Sequence, residues 1–113
     1  MARKVPKPWG HEHIWAETDR YAGKLLSIRR GARLSLQFHR TKDESIYVLT
    51  GRLRLRLEND AGEIESHDLG PGESRRIAPG RRHRFEALSD TELIEVSTPE
   101  LDDVVRVEDD YGR

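Results

Sequence analysis

Cysteine is absent from the 113 residues, which removes disulfides, thiolate-bound metals and a cysteine nucleophile together. No apolar run approaches the roughly 20 residues of a membrane-spanning helix. The opening stretch MARKVPKPWGHEH also lacks the apolar centre of a signal peptide. Neither sign of charge dominates: 20 Lys+Arg stand against 21 Asp+Glu, a net charge of -1. That balance excludes a strong whole-molecule pull toward nucleic acid or anionic membrane. These absences lead us to expect a cytoplasmic protein with no nucleic-acid and no membrane partner. Aromatic residues are scarce at 6%, and the hydrophobic share of 35% is matched by 36% charged. The length predicts one domain over residues 1–113 with a modest core. A sheet wrapped around a thin core, with one face of each strand wet, fits this balance better than a helical bundle does.

What is present reads as strands. KLLSIRR (24–30) stops at Gly31, and RLSLQFH (33–39) alternates. Arg33, Ser35, Gln37 and His39 fall on one face and Leu34, Leu36 and Phe38 on the other. SIYVLT (45–50) is a β-branched and aromatic run closed by Gly51. RLRLRLE (52–58) has the cleanest period of two, with Leu53, Leu55 and Leu57 against Arg52, Arg54 and Arg56. Turns are expected at Glu58–Gly62, Leu69–Gly72 and Ala78–Gly80, with strands following at 83–88 and 91–98. Val104 to Val107 predicts a last strand. The sum is about seven to nine short strands and no amphipathic helix, an all-β sandwich or barrel.

The chemistry-bearing residues gather in two places. Gln37 and His39 are two apart on one strand, Glu44 stands at the mouth of the next, and His83 opens a later strand. Two oxygen donors and two imidazoles suit Zn, Fe, Mn, Co or Ni better than Ca. Each piece taken singly is more often a hydrogen-bonded structural residue than a ligand.

The glycine frame around these residues carries a resemblance. Gly31, Gln37, His39, Glu44 and Gly51 stand at the spacing of the first cupin motif, with Gln at the position of its first His. Gly72, Ala78, Gly80 and His83 follow the second motif, with Pro79 displaced by one place and Ala87 at its terminal Asn. The chain therefore resembles the cupins, double-stranded β-helix (jelly-roll) barrels in which these four positions hold one divalent metal. KPWG, GARLSLQFH, LIEV and VRVEDDYGR are further similar to the C-terminal cupin domain of type II mannose-6-phosphate isomerases. There a guanylyltransferase domain often precedes the cupin; its activity is not expected here. The pattern departs near the metal. A run of histidines is replaced by His39-Arg40-Thr41, and a His after the Glu by Ser45.

The resemblance implies a metal-dependent aldose–ketose isomerase acting on a phosphorylated sugar, mannose 6-phosphate to fructose 6-phosphate. Its cofactor would be one divalent ion, Zn first among Co, Mn, Ni and Fe. Such a reaction needs a Lewis acid, a base moving a proton between C1 and C2, and a cation for the phosphate. The metal set is Gln37, His39, Glu44 and His83. Catalytic roles fall to Glu44, Glu95 and Arg33, with Glu44 and Glu95 as alternative bases. Substrate contacts fall to Arg33, pointed inward by strand alternation, and to Lys24, Arg106, Tyr111 and Arg113. A non-catalytic metal- and sugar-binding cupin and a cupin dioxygenase are the competing readings. His11-Glu12-His13 is expected as an exposed N-terminal strand. The arginine clusters 52–56 and 75–84 are expected as solvated or dimer-interface residues, Trp9 and Trp15 as core or interface anchors, and the assembly as a homodimer.

Overall fold

The computed structural model describes residues 2–113. Eleven strands follow the chain: β1 (Arg3–Lys7), β2 (Gly10–Glu17), β3 (Ala22–Ile28), β4 (Leu36–Phe38), β5 (Glu44–Thr50), β6 (Leu53–Glu58), β7 (Ile64–Leu69), β8 (Ser74–Ile77), β9 (His83–Ala87), β10 (Thr91–Ser97) and β11 (Val105–Glu108). They form a six-stranded sheet, β1-β2-β3-β10-β5-β8, and a five-stranded sheet, β11-β4-β9-β6-β7. Every pairing is antiparallel. The all-β expectation holds. Among the described residues no helix is long and apolar enough to cross a membrane.

The strand count exceeds the expected seven to nine. β1 was hidden by Pro6, a residue that lowers any strand reading. Pro6 is tolerated because β1 is the outermost strand of its sheet. β11 begins one residue later than expected, and β4 is much shorter than the expected 33–39 run.

The two sheets face each other over a core that period-two patterning supplies. Leu26, Ile28, Ile46, Val48 and Leu93 come from the larger sheet, and Leu53, Leu55, Leu69, Phe85 and Ala87 from the smaller. The opposite face of β6 is wet, and there Arg54 meets Asp68 at 3.0 Å. Most of the second arginine cluster is also tied to acids: Arg76 to Asp43, Arg81 to Asp60 and Arg82 to Glu58. Arg84 departs from the expected solvated role. It is buried, and its Nε–H donates to the Leu34 carbonyl at 2.8 Å. Trp9 joins the core, whereas Trp15 lies 48% exposed on the outer face across Gly23.

The frame glycines Gly31, Gly51, Gly72 and Gly80 all turn the chain with φ between 81° and 88°. Gly51 is the most constrained. A Cβ there would stand 2.3 Å from the Asp90 carbonyl oxygen. Gly51→Ala therefore combines left-handed strain with a backbone clash and should lower stability by about 2–4 kcal/mol. The midpoint of urea unfolding reads this directly, and an unchanged midpoint would contradict the geometry.

Candidate metal centre and its cavity

Three ligand-type side chains converge from three strands. His83 starts β9, Glu44 starts β5, and His39 follows β4 by one residue. All three are buried, with ligand atoms lying within 4.8 Å of one another. Glu44 Oε1 stands 3.4 Å from His39 Nε2 and 3.3 Å from His83 Nε2, and the two rings are 5.1 Å apart.

Backbone carbonyls fix the state of both rings. His39 Nδ1 contacts the Asp103 carbonyl, and His83 Nδ1 lies 2.9 Å from the Arg81 carbonyl. A carbonyl only accepts, so each Nδ1 carries the proton and each Nε2 presents a lone pair. Those two Nε2 atoms and both Glu44 oxygens are buried without a hydrogen-bond partner. The two Nε2 atoms each stand within 3.4 Å of Glu44 Oε1, and acceptors so placed are costly unless a cation sits among them. A divalent metal fits this arrangement. Burial raises the Glu44 carboxyl, and the Lys42 ammonium 3.3 Å from its Oε2 draws it down.

Gln37 stands directly opposite His83 in the β4–β9 ladder. Opposed residues share a face, and Gln37 also lines the cavity. Its Oε1 accepts a hydrogen bond from Ser35 Oγ at 2.7 Å. The structure thus assembles His39, Glu44 and His83 and puts Gln37 on the wall beside them.

His39 and Glu44 of the triad line a cavity of about 450 Å³ between the sheets, and His83 is buried outside its lining. Trp9, Leu26, Leu34 and Phe85 form an apolar patch in a lining that is otherwise largely charged. A chain of buried charges adjoins the metal ligands. Lys42 Nζ lies 3.3 Å from Glu44 Oε2 and donates to Glu95 Oε2 at 3.0 Å, and Lys24 Nζ is 3.4 Å from Glu12 Oε2. Glu95 is pushed up to about 7, first by burial and next by the Glu44 charge, against the pull of Lys42 and Lys24. Lys42 is raised: burial disfavours its charge, but the two carboxylates dominate. Glu95 also faces Lys24 across the β3–β10 pairing.

The expected substrate contacts separate in this geometry. Lys24, Arg106 and Arg113 line the cavity. Arg33 does not. Its guanidinium is held by Asp110, with Nε donating at 2.6 Å and Nη2 at 3.0 Å. The inward placement of Arg33 assumed unbroken alternation from 33 to 39. Leu34 and Ser35 are instead both buried, so the phase slips ahead of β4 and Arg33 turns outward. Tyr111 packs against the hydrophobic core beside the Arg113 guanidinium and is not part of the cavity lining. Glu12 corrects the exposed reading of 11–13: β2 is an inner strand, and Glu12 lines the cavity.

Sequence reasoning missed Lys42 and Asp103. Lys42 lies two residues before Glu44, a spacing that could have marked both as cavity-facing, but lysine is rarely buried. The Asp103 carboxylate accepts hydrogen bonds from the N–H groups of Arg40, Thr41 and Lys42. Those three donors hold it down at about 2.

Comparison with known proteins agrees with this geometry. A family model described as mannose-6-phosphate isomerase C-terminal matches residues 1–109. The mannose-1-phosphate guanylyltransferase ManC of Salmonella typhimurium is 37% identical over 118 residues, covering 100% of this chain and 24% of that protein. The xanthan biosynthesis protein XanB of Xanthomonas campestris is 36% identical over 116 residues, covering 98% of this chain and 24% of its own length. The chain thus spans about a quarter of the length of these relatives. Among solved structures, KdgF from Halomonas sp. superposes with a TM-score of 0.77 at 25% identity, over 90% of this chain and 88% of that one. Oxalate decarboxylase from Bacillus subtilis superposes at 0.81 and 16% identity, over 94% of this chain and 30% of that one. The fold is that of the cupins, and the chain belongs to the mannose-6-phosphate isomerase C-terminal family.

Proposed function

We propose that the protein is a metal-dependent aldose–ketose isomerase of a phosphorylated sugar, with mannose 6-phosphate and fructose 6-phosphate as the interconverted pair. One observation carries this reading. A single cavity places a buried carboxylate, Glu95, beside a three-ligand metal centre and beneath a cationic mouth. An isomerase needs those three elements together. The family relationship supports the same reaction class.

His39, Glu44 and His83 would hold the ion, with Gln37 as a fourth donor once its amide turns from Ser35. A divalent ion held there, Zn first, would supply a Lewis acid for the sugar carbonyl. Glu44 is committed to the centre, since its Oε1 stands 3.4 and 3.3 Å from the two Nε2 atoms. Glu95 is therefore the base. Lys42 holds its Oε2, leaving Oε1 to take the proton from one carbon and return it to the next. Arg106 lines the cavity and makes no ion pair among the described residues, so it is the first contact for the phosphate. Arg113, held by Asp109 at 3.1 Å, and Lys7 line the same cavity.

The positions that depart from the family pattern do not disturb this machinery. Arg40 and Thr41 are exposed and do not line the cavity, and Ser45 opens onto a groove outside it beside Arg76. The charged lining also disfavours the apolar pocket that a dioxygenase reading wants.

The test is an assay of mannose 6-phosphate conversion on chelator-stripped protein and on protein reloaded with Zn, Co, Mn, Ni or Fe. Saturable conversion that appears only on reloading is the expected result. Metal binding without turnover on a panel of phosphosugars would replace the isomerase by a binding module.

A further inference from the structure

The two imidazoles of the metal centre are oriented by very different means. The carbonyl that holds His83 Nδ1 belongs to Arg81, two residues away in the same turn. The carbonyl that holds His39 Nδ1 belongs to Asp103, 64 residues along the chain. Asp103 lies in the connection that leaves β10 in the six-stranded sheet and enters β11 in the five-stranded sheet. Between Thr98 and Val104 this connection has no strand pairing of its own. Leu101, Asp102 and Val104 from it line the cavity, so it passes along the cavity edge as a strap.

The strap is fastened at one point near the metal centre. Asp103 Oδ1 accepts from Arg40 N–H at 3.1 Å, and Oδ2 accepts from Thr41 N–H at 2.7 Å and Lys42 N–H at 2.9 Å. A second tie lies at its start, where Asp43 N–H donates to Thr98 Oγ1 at 3.0 Å and Thr98 N–H to the Asp43 carbonyl at 3.0 Å. Carboxylate and carbonyl of one residue therefore bracket the segment from His39 to Lys42. The carboxylate bonds set where the strap stands, and the carbonyl then sets the tautomer and tilt of the His39 ring.

We propose that Asp103 is a positioning residue of the metal centre, its side chain anchoring the strap so that its own carbonyl aims His39 Nε2 at Glu44 and His83. This rests on the metal-centre reading given above. Partners of a metal-bound imidazole govern affinity because a ring free to rotate must be re-ordered each time the ion binds. The same three N–H bonds also fix the backbone of Lys42, whose ammonium reaches both Glu44 and Glu95. Loosening the strap should therefore act on the centre without removing any ligand.

The experiment uses the full chain with Co(II) as probe. Co(II) affinity and the visible spectrum of the loaded protein are measured for the parent, Asp103→Ala and Asp103→Asn, with far-UV circular dichroism as the check of folding. Asp103→Ala should bind Co(II) about 10- to 100-fold more weakly and show altered ligand-field bands. A residue that served only to stabilise the loop would leave those bands unmoved. Asp103→Asn keeps one oxygen for the N–H groups and should fall between parent and alanine variant. A folded Asp103→Ala with the parent's affinity and spectrum would overturn the proposal. If that variant does not fold, parent-like binding by Asp103→Asn overturns it equally. Failure of the parent itself to bind Co(II) would overturn the metal centre, and the strap with it.

Discussion

His83→Ala should bind divalent metal more than about 100-fold more weakly than the parent, and His39→Ala should do the same. Losing a partner of a ligand costs about 10- to 100-fold in affinity, and losing the ligand itself costs more. Neither ring has a substitute nearby, because among the described residues the His/Cys/Asp/Glu group able to hold an ion is His39, Glu44 and His83 alone. His83 is 1% exposed, so water cannot enter freely to replace it. The loss should also appear in stability. A ligand at 1,000 times its dissociation constant raises stability by about 4 kcal/mol, and a 100-fold weaker site gives up about 2.7 kcal/mol of that. Metal content after dialysis, together with melting curves with and without added ion, measures both effects. The metal-free variants should melt near the metal-free parent, which separates lost binding from a damaged fold. Stoichiometric metal in both dialysed variants would sink the ligand set.

The fold was legible wherever one strand face was apolar and the other charged. Leu53, Leu55 and Leu57 against three arginines left no doubt about β6, and the glycine frame put His39, Glu44 and His83 in register. What could not be read depended on contacts between distant segments. Arg33 looked inward because a slip of phase at Leu34–Ser35 leaves no mark in the residue types; both positions simply turn out buried. Glu95 was undecided because Leu93, Ile94 and Val96 make both faces of β10 apolar. Only the partners on either side, Lys24 in β3 and Ile46 in β5, place it inside. Lys42 was passed over because a lysine costs much to bury alone. Its burial is compensated by Glu44 and Glu95, from different strands. Asp103 lacked any periodic signal, since its role depends on a loop 61 to 63 residues earlier in the chain.

Glu95→Gln should reduce isomerase turnover by about 100- to 10,000-fold, the usual contribution of a positioned acid–base group, while leaving metal content unchanged. The substitution preserves volume and one oxygen in a site that is 4% exposed, so the cavity need not repack. It removes the one group proposed to carry the proton between the two carbons. Lys42 keeps a partner, because Glu44 Oε2 is also within 3.3 Å. In the proposed reaction the cationic mouth and the metal centre, rather than Glu95, would hold the substrate, so KM should change far less than kcat. The combination is what discriminates. A drop in kcat with bound metal and near-parental KM assigns Glu95 to the proton. Loss of metal in the same variant would instead make it a support of Glu44, acting through Lys42. Parental kcat would remove Glu95 from the chemistry altogether and return the role of base to Glu44.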